Sequence, residues 1–219
     1  MKNNYIIILL SAVMLLFSSC EKELSTEGVS KTTTYAILSP KGDVAVTILK
    51  GQAFTDPGVN ATIGDLDVAS KVTTSGSVDV NTIGVYTITY TVVNDDGFPA
   101  SASRFVGVVD PAVVTMDLTG TYHRVLGGAP DMTREVIVTK TTYPGLYINN
   151  NPGGVPDNDE TNTLFMFHTE ADVVSAPAQP TAAGTFECIN GSYDAAGKNY
   201  SWVCVAAGFG TALRTFQKQ

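Results

Sequence analysis

GVYTITYTVV, the stretch at residues 84–93, decides the fold of the first half of this chain. Its aromatic and aliphatic side chains alternate with threonines, so the apolar residues fall on one face of an extended segment. β-Branched and aromatic residues in a period of two are typical of a half-buried β-strand. The stretch therefore predicts a strand with one face in a core and the other in water.

Turn and strand signals continue on both sides of this stretch. Residues 94–97, NDDG, are a strong hairpin signal, and residues 104–109, RFVGVV, predict the strand that returns antiparallel. Residues 44–49, VAVTIL, predict an earlier strand, whereas helical periodicity is scarce along the whole chain. Short strands at this spacing predict an all-β chain whose first module, residues 35–110, is a β-sandwich.

Three separated motifs carry a resemblance to a known family. Residues 51–59, GQAFTDPGV, residues 84–90, GVYTITY, and the Asp-Gly turn that follows resemble a bacterial immunoglobulin-like repeat. Repeats of this type occur in pesticidal crystal proteins and in Bacteroides-type surface lipoproteins, mostly as non-catalytic spacers that present other modules. The resemblance also implies that Tyr86 is a corner tyrosine, whose hydroxyl bonds back to the preceding loop.

A second β region follows a proline-containing boundary at residues 110–117. Residues 118–219 contain several short runs rich in β-branched and aromatic residues, separated by turn signals. The Gly-x-Tyr opening and the Pro-Gly-Leu-Tyr turn resemble the C-terminal β domain of small Bacteroides surface lipoproteins, a domain with no assigned activity. We therefore expect a second antiparallel β-sandwich or a short barrel.

The N-terminus has the composition of a lipoprotein signal. Lys2 precedes an apolar run that is too short for a comfortable membrane span, and Ser18-Ser19-Cys20 ends that run. This order resembles a bacterial lipoprotein box, in which the thiol takes a diacylglycerol and the chain is cut before the cysteine. We expect residues 1–19 to be the signal peptide and Cys20 to be lipidated. The alternative is an ordinary signal peptide with an incidental cysteine.

The residues after Cys20 predict where the protein is displayed. Glu21-Lys22-Glu23 resembles the surface-export signal of Bacteroides-type lipoproteins, which carry acidic residues just after the acylated cysteine. The resemblance implies an outer-membrane protein that is lipid-anchored and faces the cell exterior. Residues 20–34 contain almost nothing apolar, so we expect a flexible tether there.

Composition and motifs exclude several kinds of partner and chemistry. The chain has 13 basic and 21 acidic residues, and no basic patch is interleaved with aromatics, so nucleic acid is not an expected partner. No nucleophile elbow, phosphate loop or metalloprotease motif occurs, and we expect neither enzymatic activity nor a cofactor. Asp157, Asp159 and Glu160 lie in a polar loop that does not meet the EF-hand consensus, so no metal site is predicted.

Two cysteines remain once the anchor is set aside. Cys188 and Cys204 lie in two predicted strands, with a predicted turn from Asn190-Gly191 through Gly197-Lys198 between them. An exported protein meets non-reducing conditions, so a disulfide between them is one interpretation. The other is a pair of buried thiols that never join. Adjacent antiparallel strands would bring the two sulfur atoms together only in a matching register.

Residues with an aromatic or polar side chain in the second region are the candidate ligand contacts. Sugars stack on exposed tyrosine and tryptophan rings and form hydrogen bonds with polar side chains nearby. On these grounds the candidates are Tyr143, Tyr147, Asn149 and Trp202. Tyr147 precedes a polar loop and is the better candidate for exposure, whereas Trp202 shares a face with Cys204, which favours a core position.

The sequence therefore predicts a non-catalytic cell-surface lipoprotein, held at the membrane by its lipid anchor. The leading function is an accessory or glycan-binding module of an outer-membrane uptake system, with polysaccharide as partner, and this step rests on the resemblance. The alternative is a structural or adhesive lipoprotein that binds another protein, such as one in the outer membrane. A hydrolase with an unrecognised site is a weaker third class.

Replacing Cys20 tests the anchor. Cells fed radioactive palmitate should label the wild-type protein, and the Cys20→Ala variant should carry no label because the acyl acceptor is gone. Cys188→Ala is the matched control and should label as the wild type does. Equal labelling of the wild type and Cys20→Ala would refute the anchor.

Overall fold

Residues 84–93 form strand β6 in the computed structural model, which describes residues 32–156, 162–206 and 208–219. Ile88, Tyr90 and Val92 are buried and Thr87 is exposed, as the alternation predicts. The Tyr86 hydroxyl donates to the carbonyl of Thr82, four residues back, at 2.8 Å, which is the bond expected of a corner tyrosine.

Seven strands form two sheets in the first half of the described chain. They are β1 (Ala36–Pro40), β2 (Ala45–Leu49), β3 (Val59–Ile63), β4 (Leu66–Asp67), β5 (Thr73–Ser75), β6 (Gly84–Val93) and β7 (Pro99–Val109). One sheet has the order β1-β3-β4 and the other β2-β7-β6-β5, in which β2 runs parallel to β7. Apolar side chains of both sheets share one core, so the predicted sandwich is confirmed.

A buried arginine ties the loops of the sandwich to its core. Arg104 of β7 is 1% exposed, and its Nε lies 3.1 Å from Asp56 Oδ1. The Tyr90 hydroxyl donates to the same carboxylate oxygen at 2.6 Å, and the guanidinium also donates to the carbonyls of Lys41 and Asp43. The buried charge is tolerated because it is both ion-paired and hydrogen-bonded.

Eight antiparallel strands close into a barrel in the second half, which makes the predicted short barrel the correct alternative. The strands are β8 (Gly120–Leu126), β9 (Ala129–Lys140), β10 (Leu146–Asn149), β11 (Leu164–Glu170), β12 (Val173–Thr181), β13 (Gly184–Asp194), β14 (Asn199–Val205) and β15 (Leu213–Lys218). β15 pairs with β8, which closes the ring and removes the sheet edges. A short 3-10 helix, Pro111–Thr115, connects the sandwich to the barrel.

Strand β12 escapes prediction because it contains two prolines, which argue against a barrel strand. Its neighbour β11 pairs with it only as far as Ser175. Beyond that point the side-chain amide of Gln179 replaces the backbone ladder. Its Nε2 donates to the Phe165 carbonyl at 3.0 Å, and its Oε1 accepts from the Phe165 N–H at 2.8 Å. The barrel wall therefore stays hydrogen-bonded where proline supplies no donor.

The turn expected to begin at Asn190-Gly191 is instead a bulge inside β13. Asn190 has a φ of 52°, and the pairing register with β14 shifts between Ile189 and Ser192. A Cβ on Gly191 would lie 1.9 Å from the carbonyl oxygen of Val174, so only glycine permits this backbone approach. β13 continues to Asp194, and the turn lies after it.

The sandwich and the barrel share a hydrophobic core, and residues 34–219 form one compact unit. Phe167 of β11 is fully buried among Ala45 and Phe105 of the sandwich and Leu146 of the barrel. A Cβ on Gly107 of β7 would lie 2.7 Å from the Phe167 ring. The two modules therefore pack directly against each other, with a barrel side chain touching the backbone of a sandwich strand.

Several predictions concern residues outside the described ranges. They are the signal peptide at 1–19, lipidation at Cys20, the acidic export signal and the loop carboxylates Asp157, Asp159 and Glu160. Among the residues that are described, no helix is long and apolar enough to cross a membrane.

Removing the Phe167 ring tests the shared core. Phe167→Ala should lower the free energy of unfolding by about 3–5 kcal/mol, because a buried aromatic leaves a cavity. It should also split a single urea transition into two, since the ring joins the modules. Phe98→Ala, at a ring that is 47% exposed, is the matched control and should change stability little. A small loss with one transition for Phe167→Ala would contradict the shared core.

Candidate functional site

Three of the four candidate ligand contacts lie inside the barrel. Tyr147, Asn149 and Trp202 have no exposed surface, so the expected exposure of Tyr147 is wrong and the core position favoured for Trp202 is right. Asn149 Nδ2 donates to the Tyr200 hydroxyl at 2.9 Å, and the Tyr147 hydroxyl donates to the Met116 carbonyl at 3.2 Å. These groups are satisfied within the core and do not face a ligand at the surface.

The loop at residues 151–155, here called the plug, explains this burial. The loop folds into the barrel, and residues 151–154 are buried. The Trp202 indole N–H donates to the Pro152 carbonyl at 2.9 Å, and Arg214 Nη1 donates to the Gly153 carbonyl at 2.6 Å. A Cβ on Gly154 would lie 2.6 Å from the Phe216 ring, so glycine is required for this close fit. The polar loop is therefore an internal plug.

Cys188 and Cys204 meet in the register that a disulfide needs. They are directly paired across β13 and β14, both are buried, and their sulfur atoms are 3.6 Å apart as thiols. Burial raises the pKa of the Cys188 thiol, which keeps it protonated and unreactive. The structure thus brings the pair together, and the disulfide itself stays a prediction.

Tyr143 is the one candidate that lines a surface groove. This groove has a volume of about 330 Å³ and lies between the sandwich loop at residues 42–45 and the barrel segment at residues 141–146. The Tyr143 hydroxyl donates to Asp43 Oδ2 at 2.7 Å, and this bond raises the pKa of the Tyr143 hydroxyl. Phe165 also lines this groove. A ring and a carboxylate are therefore held together across the junction of the two modules.

Two further grooves extend around the same junction. The larger has a volume of about 640 Å³ and lies between β6–β7 and β12–β13. Its polar lining residues are Thr87, Thr89, Ser103, Ser175, Glu187 and Asn190. A third groove, of about 360 Å³, shares Ser103 and Ala178 with the large one and Val44 with the Tyr143 groove. Together they form a band that we call the junction groove.

The histidines and acidic side chains of the described chain do not gather at one point. No three His, Cys, Asp or Glu side chains converge in residues 32–156, 162–206 and 208–219. His168 is fully buried, and desolvation lowers its pKa so that it stays neutral. Its ring packs edge-on against Tyr193 with centroids 5.4 Å apart. His123 lies 3.9 Å from Glu135, whose side chain is exposed.

The sandwich is similar in sequence to a known domain family. Residues 38–108 match the family model of the Ig-like domain of bacterial surface proteins. This domain covers β1 to β7 apart from the outermost residues, and it agrees with the expected resemblance. The match is a similarity of these residues to domains of bacterial surface proteins, and it does not extend to the barrel.

Comparison with solved structures returned distant likenesses. One is the lipoprotein BT2262 from Bacteroides thetaiotaomicron, at 22% identity and a TM-score of 0.39, covering 84% of this chain and 100% of that one. Another is the CBM51-2 domain in complex with GlcNAc, with INT domains, from Clostridium perfringens ZmpB, at 16% identity and a TM-score of 0.30. It covers 63% of this chain and 30% of that one. No curated protein sequence matches the chain.

Sequence reasoning misses the hydroxyl-bearing residues of the junction groove. Alternation places Thr87 and Thr89 only on the outer face of a strand, and no motif singles out Ser103 or Ser175. Two strands from the Ig-like domain and two from the barrel supply this lining, so their proximity depends on the packing of the modules. One sequence feature could have indicated the groove. The outer face of β6 carries threonines and no charged residue, whereas a fully solvated strand face often carries charges.

The chain has one tryptophan, so its fluorescence reports directly on the barrel interior. Because Trp202 has no exposed surface, acrylamide should quench the native protein weakly and the urea-unfolded protein strongly. N-acetyltryptophanamide in the same buffers is the control for quencher strength. Native quenching close to that of the free indole would show that Trp202 is at the surface.

Proposed function

We propose that this chain is a non-catalytic lipoprotein of the outer membrane, facing the cell exterior, that captures glycans in the junction groove. The observation that carries the proposal is the continuity of the three grooves around a close-packed junction. Sites for small apolar ligands are enclosed and mostly apolar, whereas the largest part of this groove is open and lined by hydroxyl-bearing side chains. Those features favour a polar polymer over a small apolar molecule.

The lining supplies both kinds of contact that a sugar ring needs. Ser103, Ser175 and Asn190 offer hydrogen-bond donors and acceptors on one side of the junction. Tyr143 and Phe165 offer aromatic rings on the other side. A close-packed junction favours binding because less conformational entropy is lost when the ligand binds.

A binding protein for other proteins is the second candidate, favoured by an apolar row on the barrel. Ile189, Val203 and Leu213 are directly paired across β13, β14 and β15, and Val205 lies two residues further along the same face. Leu213 is 60% exposed and Val205 is 44% exposed. Contiguous exposed apolar residues mark many interaction surfaces. This row would serve the adhesive alternative.

Replacing Tyr143 tests glycan capture. The full chain should bind at least one neutral or acidic polysaccharide in affinity electrophoresis, and Tyr143→Ala should weaken that binding by about tenfold, the loss expected when an aromatic contact of about 1.4 kcal/mol is removed. Tyr143→Phe keeps the ring and should retain most of the binding. Tyr35→Ala is the matched control, because this tyrosine is 58% exposed, packs against Phe98 and lines none of the three grooves.

Each outcome of this experiment discriminates between the two candidates. Loss of binding in Tyr143→Ala with unchanged urea unfolding supports capture in the junction groove. An absence of binding across a broad glycan panel, together with a pull-down partner that is lost in Leu213→Asp, supports the adhesive candidate. Release of sugars from polysaccharide would overturn the non-catalytic part of the proposal.

A further inference from the structure

Three of the four arginines of the chain gather at one end of the barrel. Arg214, Arg124 and Arg134 belong to β15, β8 and β9, which are consecutive strands of the ring. Arg214 is the cross-strand partner of Trp202, which is a core residue. Arg134 lies on the same face of β9 as two buried valines of the barrel core. A Cβ on Gly154 of the plug would lie 2.8 Å from Arg124 Cβ. All three side chains therefore border the plug, and we call this cluster the arginine mouth.

The arginine mouth carries more positive charge than its described neighbours neutralise. Arg134 Nε donates to Asp131 Oδ2 at 2.9 Å, and this is the one ion pair that any of the three arginines makes among the described residues. Arg134 and Arg124 also point donors at the Gly154 carbonyl, at 3.3 and 3.5 Å. Three guanidinium groups thus share one carboxylate and a few carbonyl dipoles.

Two donor atoms in the cluster have no hydrogen-bond partner within the described structure. They are the Nε atoms of Arg124 and Arg214, and both are buried. Arg214 is only 8% exposed, and its two Nη atoms already donate to the carbonyls of Gly153 and Phe209. Burial and the charges of Arg214 and Arg134 lower the pKa of Arg124. An unpartnered buried donor is costly and calls for an acceptor.

We infer that the arginine mouth binds a single oxyanion, a carboxylate or a sulfate group. Arginine presents planar paired donors that match such groups bidentately, and the mouth of a barrel is a common place for ligands. This inference deepens the proposed function. It rests on that function only where it assigns the acid group to an acidic sugar. The mouth is a second contact region, separate from the junction groove.

The charge of the rest of the chain narrows the ligand further. The formal net charge is −8, so the protein as a whole repels polyanions at a distance. The arginine mouth is a local exception that is partly enclosed by the plug. This distribution of charge therefore favours a glycan with one acid group over a densely charged polymer.

Calorimetric titration with single sugars tests the inference. Sodium glucuronate and sodium sulfate are titrated into the full chain at constant ionic strength set with chloride, and neutral glucose serves as the uncharged probe. We expect saturable binding of glucuronate or sulfate and weaker binding of glucose. Arg124→Gln and Arg134→Gln should each weaken anion binding by about tenfold or more, the loss typical of a charge-assisted hydrogen bond. Lys50→Gln, an exposed charge of the sandwich, should bind as the wild type does.

A second measurement guards against variants that fail to fold. In the wild-type protein, the NMR signals of the Arg124 and Arg214 Nε–H groups should shift during the glucuronate titration. If no anion gives saturable binding and neither signal moves, the inference is overturned. Glycan binding in the junction groove is tested separately, by Tyr143→Ala. Anion binding without any hit on the glycan panel would support the arginine mouth and remove the acidic-sugar assignment and glycan capture.

Discussion

The contact between Phe167 and the backbone of Gly107 is the constraint on which the rest of the structure depends. β11 is buried on both faces, with Met166 in the barrel core and Phe167 in the shared core. Any side chain at position 107 would displace that ring or the Thr47 methyl group, which would lie only 2.9 Å from a Cβ placed there. Close packing of this kind transmits strain and resists rotation. This packing opposes sliding of the two walls of the junction groove past each other.

The sequence predicts those parts of the fold whose signal is local. Alternation identifies β6 because its threonines alternate with residues that face a core. Two features of the barrel depend on distant partners instead. The prolines of β12 argue against a strand until the Gln179 amide is known to bond with Phe165. Asn190-Gly191 is typical of a turn, and only the approach of Val174 makes it a bulge.

The candidate site is harder to predict, because polarity in the sequence does not say what satisfies a polar group. Asn149 and Asn151 indicate a solvated loop, yet Asn151 Nδ2 donates to the carbonyls of Glu135 and Val155, at 2.9 and 2.8 Å. Hydrogen bonds to the protein replace those to water, so the plug can be buried. Tyr147, which precedes the plug in the sequence, is buried as well. Tyr143 keeps its candidacy because a loop from the other module lies beside it, and that neighbour is about a hundred residues away in sequence.

Two neighbouring parts of the barrel interior differ in what burial gains. Around Tyr200, rings stack and meet edge-on, with Phe216 at 4.7 Å and Trp202 at 5.0 Å between centroids, so desolvation there is favourable. At the arginine mouth, burial of guanidinium groups is unfavourable, because two Nε donors lose water without gaining a protein acceptor in the described structure. A ligand that supplies the acceptor stabilises the native state in proportion to the logarithm of its concentration. The unpartnered donors are thus a local cost to stability of the kind that binding sites commonly carry.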